Sequence, residues 1–138
     1  MITKIREGLY LGDSSAQLEL EEPTLIIDLI GWKFDLMPME NQGDSEKIWN
    51  LVNTMSTAQI EDVPILIKCQ GSIDRSPFIM ACYLAFVNWC EADKNDGLED
   101  YVILAYEEVK RAHPQTFIHD DWIKWWVNPV IVGGERSQ

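Results

Sequence analysis

The sequence predicts an α/β fold: a single-domain sandwich with a central, mostly parallel sheet flanked by helices. Three observations carry that expectation. Short runs rich in β-branched residues alternate with longer segments whose apolar residues recur at helical spacing. Capping and breaking residues punctuate the boundaries between them. The 138 residues, 46 % apolar and with six tryptophans, are enough for one sizeable core and too few for two ordinary domains. Strands that precede helices in alternation pair in parallel, because the helix carries the chain back along the sheet. No internal repeat or low-complexity segment interrupts the pattern.

Each element has a local reason. Gly8-Leu9-Tyr10-Leu11-Gly12 reads as a short edge strand, and Asp13-Ser14-Ser15 supplies capping side chains for a brief helical stretch from Ala16 to Glu21 that Pro23 stops. Thr24 to Ile30 is β-rich and mostly apolar, as expected of a central strand covered on both faces, and Gly31 closes it. Trp32 to Gly43 reads as a loop with room for a short strand. From Asp44, a capping residue, Ile48, Val52, Met55 and Ile60 recur at helical spacing ahead of the strand Val63 to Lys68. A long apolar helix runs from Ser76 to about Cys90, and Asp93 to Gly97 is a polar turn. Leu98, Tyr101, Val102, Ala105 and Val109 then mark an amphipathic helix that ends near His113-Pro114. Asp120 or Asp121 caps a last helix whose Trp122, Ile123, Trp125 and Trp126 pack it onto the body, and Gly133 to Gln138 is expected to be a loose tail.

Composition narrows the function classes. With 23 acidic residues against 11 basic ones, a formal charge of −12 repels nucleic acid and anionic membrane at long range, so neither is an expected partner. No stretch reaches the length of a membrane span, and Met1 to Arg6 lacks the apolar core of a secretory signal. Three cysteines, at 69, 82 and 90, show neither disulfide nor zinc spacing. These features lead us to expect a cytoplasmic protein in a reducing setting, with Cys82 and Cys90 as core residues. His113 and His119 lack a nucleophile or metal-ligand partner at useful spacing and read as turn or helix-end residues.

The octapeptide Cys69-Gln70-Gly71-Ser72-Ile73-Asp74-Arg75-Ser76 lies between the apolar run Val63 to Lys68 and the apolar helix beginning at Ser76. It therefore reads as a strand-to-helix corner. Unpaired N–H groups and the dipole at a helix N-terminus favour an anion there, and the same field favours a thiolate. Cys69 is accordingly a candidate nucleophile, Arg75 a planar fork for two phosphoryl oxygens, and Ser76 a hydroxyl within reach of the sulfur. The residues Gln70, Gly71, Ser72, Ile73, Asp74 and Arg75 would wrap the phosphate.

These residues carry a resemblance. The Cys-x5-Arg-Ser-Pro segment from 69 to 77, Ile5 to Gly12, Ala81-Cys82-Tyr83-Leu84, and Ala105 to Pro114 together resemble the dual-specificity phosphatases, the small branch of the cysteine-dependent tyrosine phosphatases. The resemblance implies a catalytic domain over residues 1–132, no cofactor or metal, and a phosphorylated protein or peptide as substrate. It also implies two-step phosphoryl transfer: Cys69 attacks phosphorus, Arg75 and loop amides stabilise the transition state, Ser76 assists release of sulfur, and water hydrolyses the phosphocysteine.

The family's general acid is an Asp on an upstream loop, within Pro-x-x-Asp. Here Pro38-Met39-Glu40-Asn41 puts an amide at that place, and an amide cannot donate the proton usefully. Glu40 next to it, Asp44 three residues on, and Asp74 inside the loop are the candidates, with Asp35 more remote. An acid before the loop arginine is similar to what myotubularin-like, lipid-directed relatives carry. Lys68 replaces the family's usual His before the cysteine, and Ser72 stands where Gly is usual, with Gly71 one place early. The expectation is a phosphatase for phosphotyrosine, with phosphoserine and phosphothreonine open. The alternatives are an impaired phosphate-binding relative, or an enzyme for a phosphoinositide or an RNA 5′-phosphate.

Overall fold

A computed structural model describes residues 2–15, 23–29, 42–69, 75–93 and 97–127, apart from the side chains of 42–45 and 125. Among the described residues, four strands form one sheet. β1 (Ile2–Arg6) and β2 (Leu9–Gly12) make an antiparallel hairpin, and β2 and β3 (Leu25–Asp28) each pair in parallel with β4 (Ile65–Lys68), giving the order β1-β2-β4-β3. The hairpin turns at Glu7-Gly8, where Gly8 has φ +80 and a Cβ would meet nothing within 4 Å. Conformation, not space, selects glycine there.

Two strand expectations are corrected. The segment Gly8 to Gly12 does not form an edge, because β1 lies outside it, and that strand escapes a pattern reading because Lys4 and Arg6 interleave its apolar residues. Leu25–Asp28 is shorter than expected and, among the described residues, is an edge strand: Ile26 is 55 % exposed. β2 and β4 are the strands flanked on both sides, and in β4 Ile65, Leu66 and Ile67 are all fully buried.

Side chains alternate across a strand, and the register makes Leu9, Ile65 and Leu25 neighbours in one row and Leu11, Ile67 and Ile27 neighbours in the next. These rows join a single core with the helices α1 (Gln42–Ile60), α2 (Arg75–Glu91), α3 (Leu98–Ala112) and α4 (Asp120–Val127). Ile48, Val52 and Met55 face it from α1, and Leu98, Val102, Ala105, Tyr106 and Val109 from α3. α2 is buried on every side from Ser76 to Ala85, as a central helix must be when it is apolar all round. Trp122 and Trp126 seat α4, with the Trp126 ring stacked on Trp49 at 4.5 Å and the Trp122 ring edge-on to Phe78 at 5.3 Å.

Helix starts differ from the pattern reading by a residue or two. α1 begins at Gln42, which places Asp44 within its first turn rather than at the cap. α4 begins at Asp120, so His119 precedes it, and the His119 carbonyl accepts the N–H groups of Trp122 and Ile123. Both aspartates then sit in the first turn, where the helix dipole favours negative charge. The expected helix 16–21, most of the loop 32–43 and the tail 133–138 lie outside the described residues.

Three polar tethers cross the layers. Arg6 donates twice to Glu108, from Nε at 2.7 Å and Nη2 at 2.8 Å, tying β1 to α3. Thr3 Oγ1 lies 2.8 Å from Nδ1 of the buried His113, which caps the C-terminus of α3. The Tyr83 hydroxyl donates to Gln59 Oε1 at 2.6 Å, joining α2 to α1.

Candidate active site

Cys69 is the residue that follows β4. Its N–H donates to the Gly12 carbonyl (3.2 Å), and the Leu29 N–H donates to the Lys68 carbonyl (2.8 Å). Each parallel pairing is thereby continued just past the end of β4, and Cys69 is fixed between the C-terminal ends of β2 and β3. Ligands in open parallel sheets gather at such strand ends.

α2 starts six residues later at Arg75. Pro77 is tolerated in that first turn because its missing N–H would have no partner within the helix. The Ser76 N–H, in that same turn, donates to the Cys69 sulfur at 3.4 Å, and Ser76 Oγ lies 3.1 Å from the same sulfur. Both side chains are fully buried. Arg75 is half-buried and its Nη1 donates to the Leu29 carbonyl at 3.5 Å. Since Asp28 and Lys68 are register partners, Leu29 stands beside Cys69, and the guanidinium reaches the same edge of the sheet as the thiol.

Of the residues singled out by the spacing, Cys69 and Ser76 are in contact, and Arg75 reaches the Leu29 carbonyl beside them. Lys68 is different: alternation along β4 puts Ile65, Ile67 and Cys69 on the core side and Leu66 and Lys68 on the other, so the lysine does not share a face with the thiol. Asp44 lies in the first turn of α1, with its side chain undescribed, and Glu40, Asn41, Asp35 and residues 70–74 lie outside the described residues. The backbone carbonyls of Gly12 and Leu29 are the parts of the site that sequence reasoning missed, and a carbonyl leaves no mark in a sequence.

The other thiols stand apart from this chemistry. All three cysteines are free, and burial in the middle of α2 pushes the Cys82 thiol well above its ordinary range, which keeps it protonated and inert. Among the described residues no group of three or more His, Cys, Asp or Glu is gathered as metal ligands would be. No helix among them is long and apolar enough to cross a membrane.

The Cys69 sulfur thus faces a backbone N–H and a hydroxyl at the N-terminus of α2, a setting that favours bound anions. Comparison with family models and with curated proteins returns no match. Solved structures do match over nearly the whole chain. Human DUSP28 aligns with a TM-score of 0.65 at 15 % identity, over 94 % of this chain and 95 % of its own. The Orf virus tyrosine phosphatase OH1 aligns at 0.66 and 11 % identity, over 96 % and 87 %. The fold is that of the dual-specificity phosphatases. A leucine-rich-repeat and phosphatase-domain protein of Entamoeba histolytica shares it, with a TM-score of 0.65 and 14 % identity over 99 % of this chain and 96 % of that one. Against this dual-specificity-phosphatase fold, Cys69 sits in the corner between a central strand and the buried helix that follows.

Proposed function

We propose that the protein is a cysteine-dependent phosphatase that hydrolyses phosphotyrosine, and also phosphoserine or phosphothreonine, in proteins through a phosphocysteine at Cys69. One observation carries the reading: at the start of α2 the Cys69 sulfur accepts the Ser76 N–H at 3.4 Å and lies 3.1 Å from the Ser76 hydroxyl. An unreactive core cysteine has no need of two polar partners at a helix N-terminus, whereas a thiolate would accept a hydrogen bond from each.

In this mechanism the Cys69 thiolate attacks phosphorus in line, forming an S–P bond as the P–O bond to the leaving group breaks. Arg75 and the N–H groups of residues 70–75 take up the charge of the equatorial oxygens. A carboxylic acid protonates the leaving oxygen, and Asp74, Glu40 and Asp44 are the candidates. Water then attacks phosphorus, releases phosphate, and returns the electron pair to sulfur, where the Ser76 hydroxyl receives it as a hydrogen-bonded thiolate. The chain's net charge of −12 supports a protein substrate over a polyanionic one.

Release of phosphate from an aryl phosphate tests the reading. The parent should turn over, and Cys69→Ser and Arg75→Lys should each lose at least about a hundredfold. Equal rates for parent and Cys69→Ser would overturn it. Comparing Asp74→Asn, Glu40→Gln and Asp44→Asn on substrates with good and poor leaving groups identifies the acid, which loses most on the poor one. A parent that binds phosphate without turnover would favour a binding role for the same site.

A further inference from the structure

We infer that the surface at the far end of β4 from Cys69 docks a protein segment in which an apolar side chain is flanked by lysine or arginine. The turn that carries α1 into β4 has a shallow cavity of about 370 Å³, lined by Leu25, Thr54, Thr57, Ala58, Glu61 and Val63. Its walls are mostly carbon. The two threonines contribute to that: Thr54 Oγ1 donates back to the Asn50 carbonyl at 3.0 Å and Thr57 Oγ1 to the Asn53 carbonyl at 3.2 Å. Their hydroxyls are spent on their own helix, which leaves methyl groups for the groove.

A second cavity of about 230 Å³ lies on the other side of Val63, lined by Glu7, Gly8, Gln59, Asp62, Val63 and Pro64. Ile60, at the end of α1, stands 79 % exposed, the most exposed large apolar side chain among those described. Two grooves, one mainly apolar and one mainly polar, therefore share a wall at Val63.

Charge identifies the occupant. The two linings carry Glu61, Asp62 and Glu7, of which Glu7 is paired with Lys4 at 2.8 Å. An apolar floor with a carboxylate rim complements a segment that alternates an aliphatic side chain with bases, and repels an acidic or phosphate-rich ligand. Apolar contact would provide affinity, and the carboxylates register and on-rate. The surface precedes β4 whereas Cys69 follows it, so about five residues of extended chain, roughly 17 Å, separate docking from chemistry.

The test uses the full chain and a fluorescein-labelled hexapeptide that alternates leucine with arginine, read by fluorescence anisotropy at low and high salt. Thr57→Trp fills the groove without changing charge, and Glu61→Lys reverses one rim charge; both positions are exposed, so folding should survive. Each should weaken binding by about fivefold or more. Glu107→Lys, an equal charge change on the exposed side of α3, should alter it by less than about twofold. Cys69→Ser should bind the probe like the parent, so failure of docking and failure of catalysis are separable. Equal losses for Glu61→Lys and Glu107→Lys, or no loss for Thr57→Trp, would overturn the proposal by showing attraction to net charge alone.

Discussion

Removing the Ser76 hydroxyl should slow one half of the reaction and spare the other. In Ser76→Ala the sulfur loses the oxygen at 3.1 Å and keeps the N–H at 3.4 Å. Both side chains are fully buried, so water does not replace the lost donor readily. A hydrogen bond to a charged group is worth about 1.5–3 kcal/mol, which corresponds to about 10- to 100-fold in rate. The direction follows from where charge sits on sulfur. In the first step the thiolate gives its charge to the S–P bond, so the hydroxyl does not favour the transition state. In the second step sulfur departs as a thiolate, and the hydroxyl stabilises it as charge develops. Rapid-quench kinetics with an aryl phosphate should therefore show kcat falling about 10- to 100-fold, kcat/KM changing by less than about threefold, and a burst of leaving group as phosphoenzyme accumulates. A parallel fall in kcat and kcat/KM without a burst, or no change in either, would refute the reasoning.

Other expectations concern the frame that holds the site. Asp62 has φ 59 in the turn after α1, where its N–H donates to the Gln59 carbonyl and the Val63 N–H to the Ala58 carbonyl; Asp62→Gly should raise stability by about 0.5 kcal/mol and Asp62→Val lower it by about 1 kcal/mol or more in urea unfolding. The two hydrogen bonds from Arg6 hold the Glu108 carboxyl below its usual range. Because its folded-state pKa is depressed, that contribution is present above the unfolded value of about 4.3 and disappears as pH falls through the folded one. Glu108→Gln should thus cost about 0.5–1 kcal/mol at neutral pH, discounted for a pair that is 37 % and 29 % exposed, and nothing at the acid end. Burial pushes the Tyr83 phenol up to about 12; being raised, it contributes stability below the unfolded value of about 10 that is lost as pH rises through the folded one. Tyr83→Phe, which removes the 2.6 Å bond to Gln59, should cost about 1 kcal/mol at neutral pH by the same unfolding assay.

Much of this architecture was legible because it rests on local chemistry. The helix at 98–112 follows from apolar periodicity, and the one at 75–91 from a continuous apolar run too long for a strand. What was not legible is relational. Leu25–Asp28 and Ile65–Lys68 are both rich in aliphatic residues, and only the register shows which one has neighbours on both sides. Ile2–Arg6 is held by the turn at Gly8, by Arg6 on Glu108 and by Thr3 on His113, contacts about a hundred residues apart in sequence. The site divides the same way. Cys69 and Ser76 sit at the ends of regular elements and are placed by them, whereas the acid candidates Glu40 and Asp74 were singled out by spacing alone, which fixes no geometry, and lie outside the described residues.

The central claim is that Cys69 takes the phosphoryl group onto its sulfur. Acid quenching of the protein during turnover of an aryl phosphate, followed by mass spectrometry of the peptide that contains Cys69, tests it directly. The account predicts a phosphoryl adduct on that cysteine in the parent, at higher occupancy in Ser76→Ala, and none in Cys69→Ser. Turnover with no adduct on Cys69 in either the parent or Ser76→Ala, or turnover retained in Cys69→Ser, would contradict it.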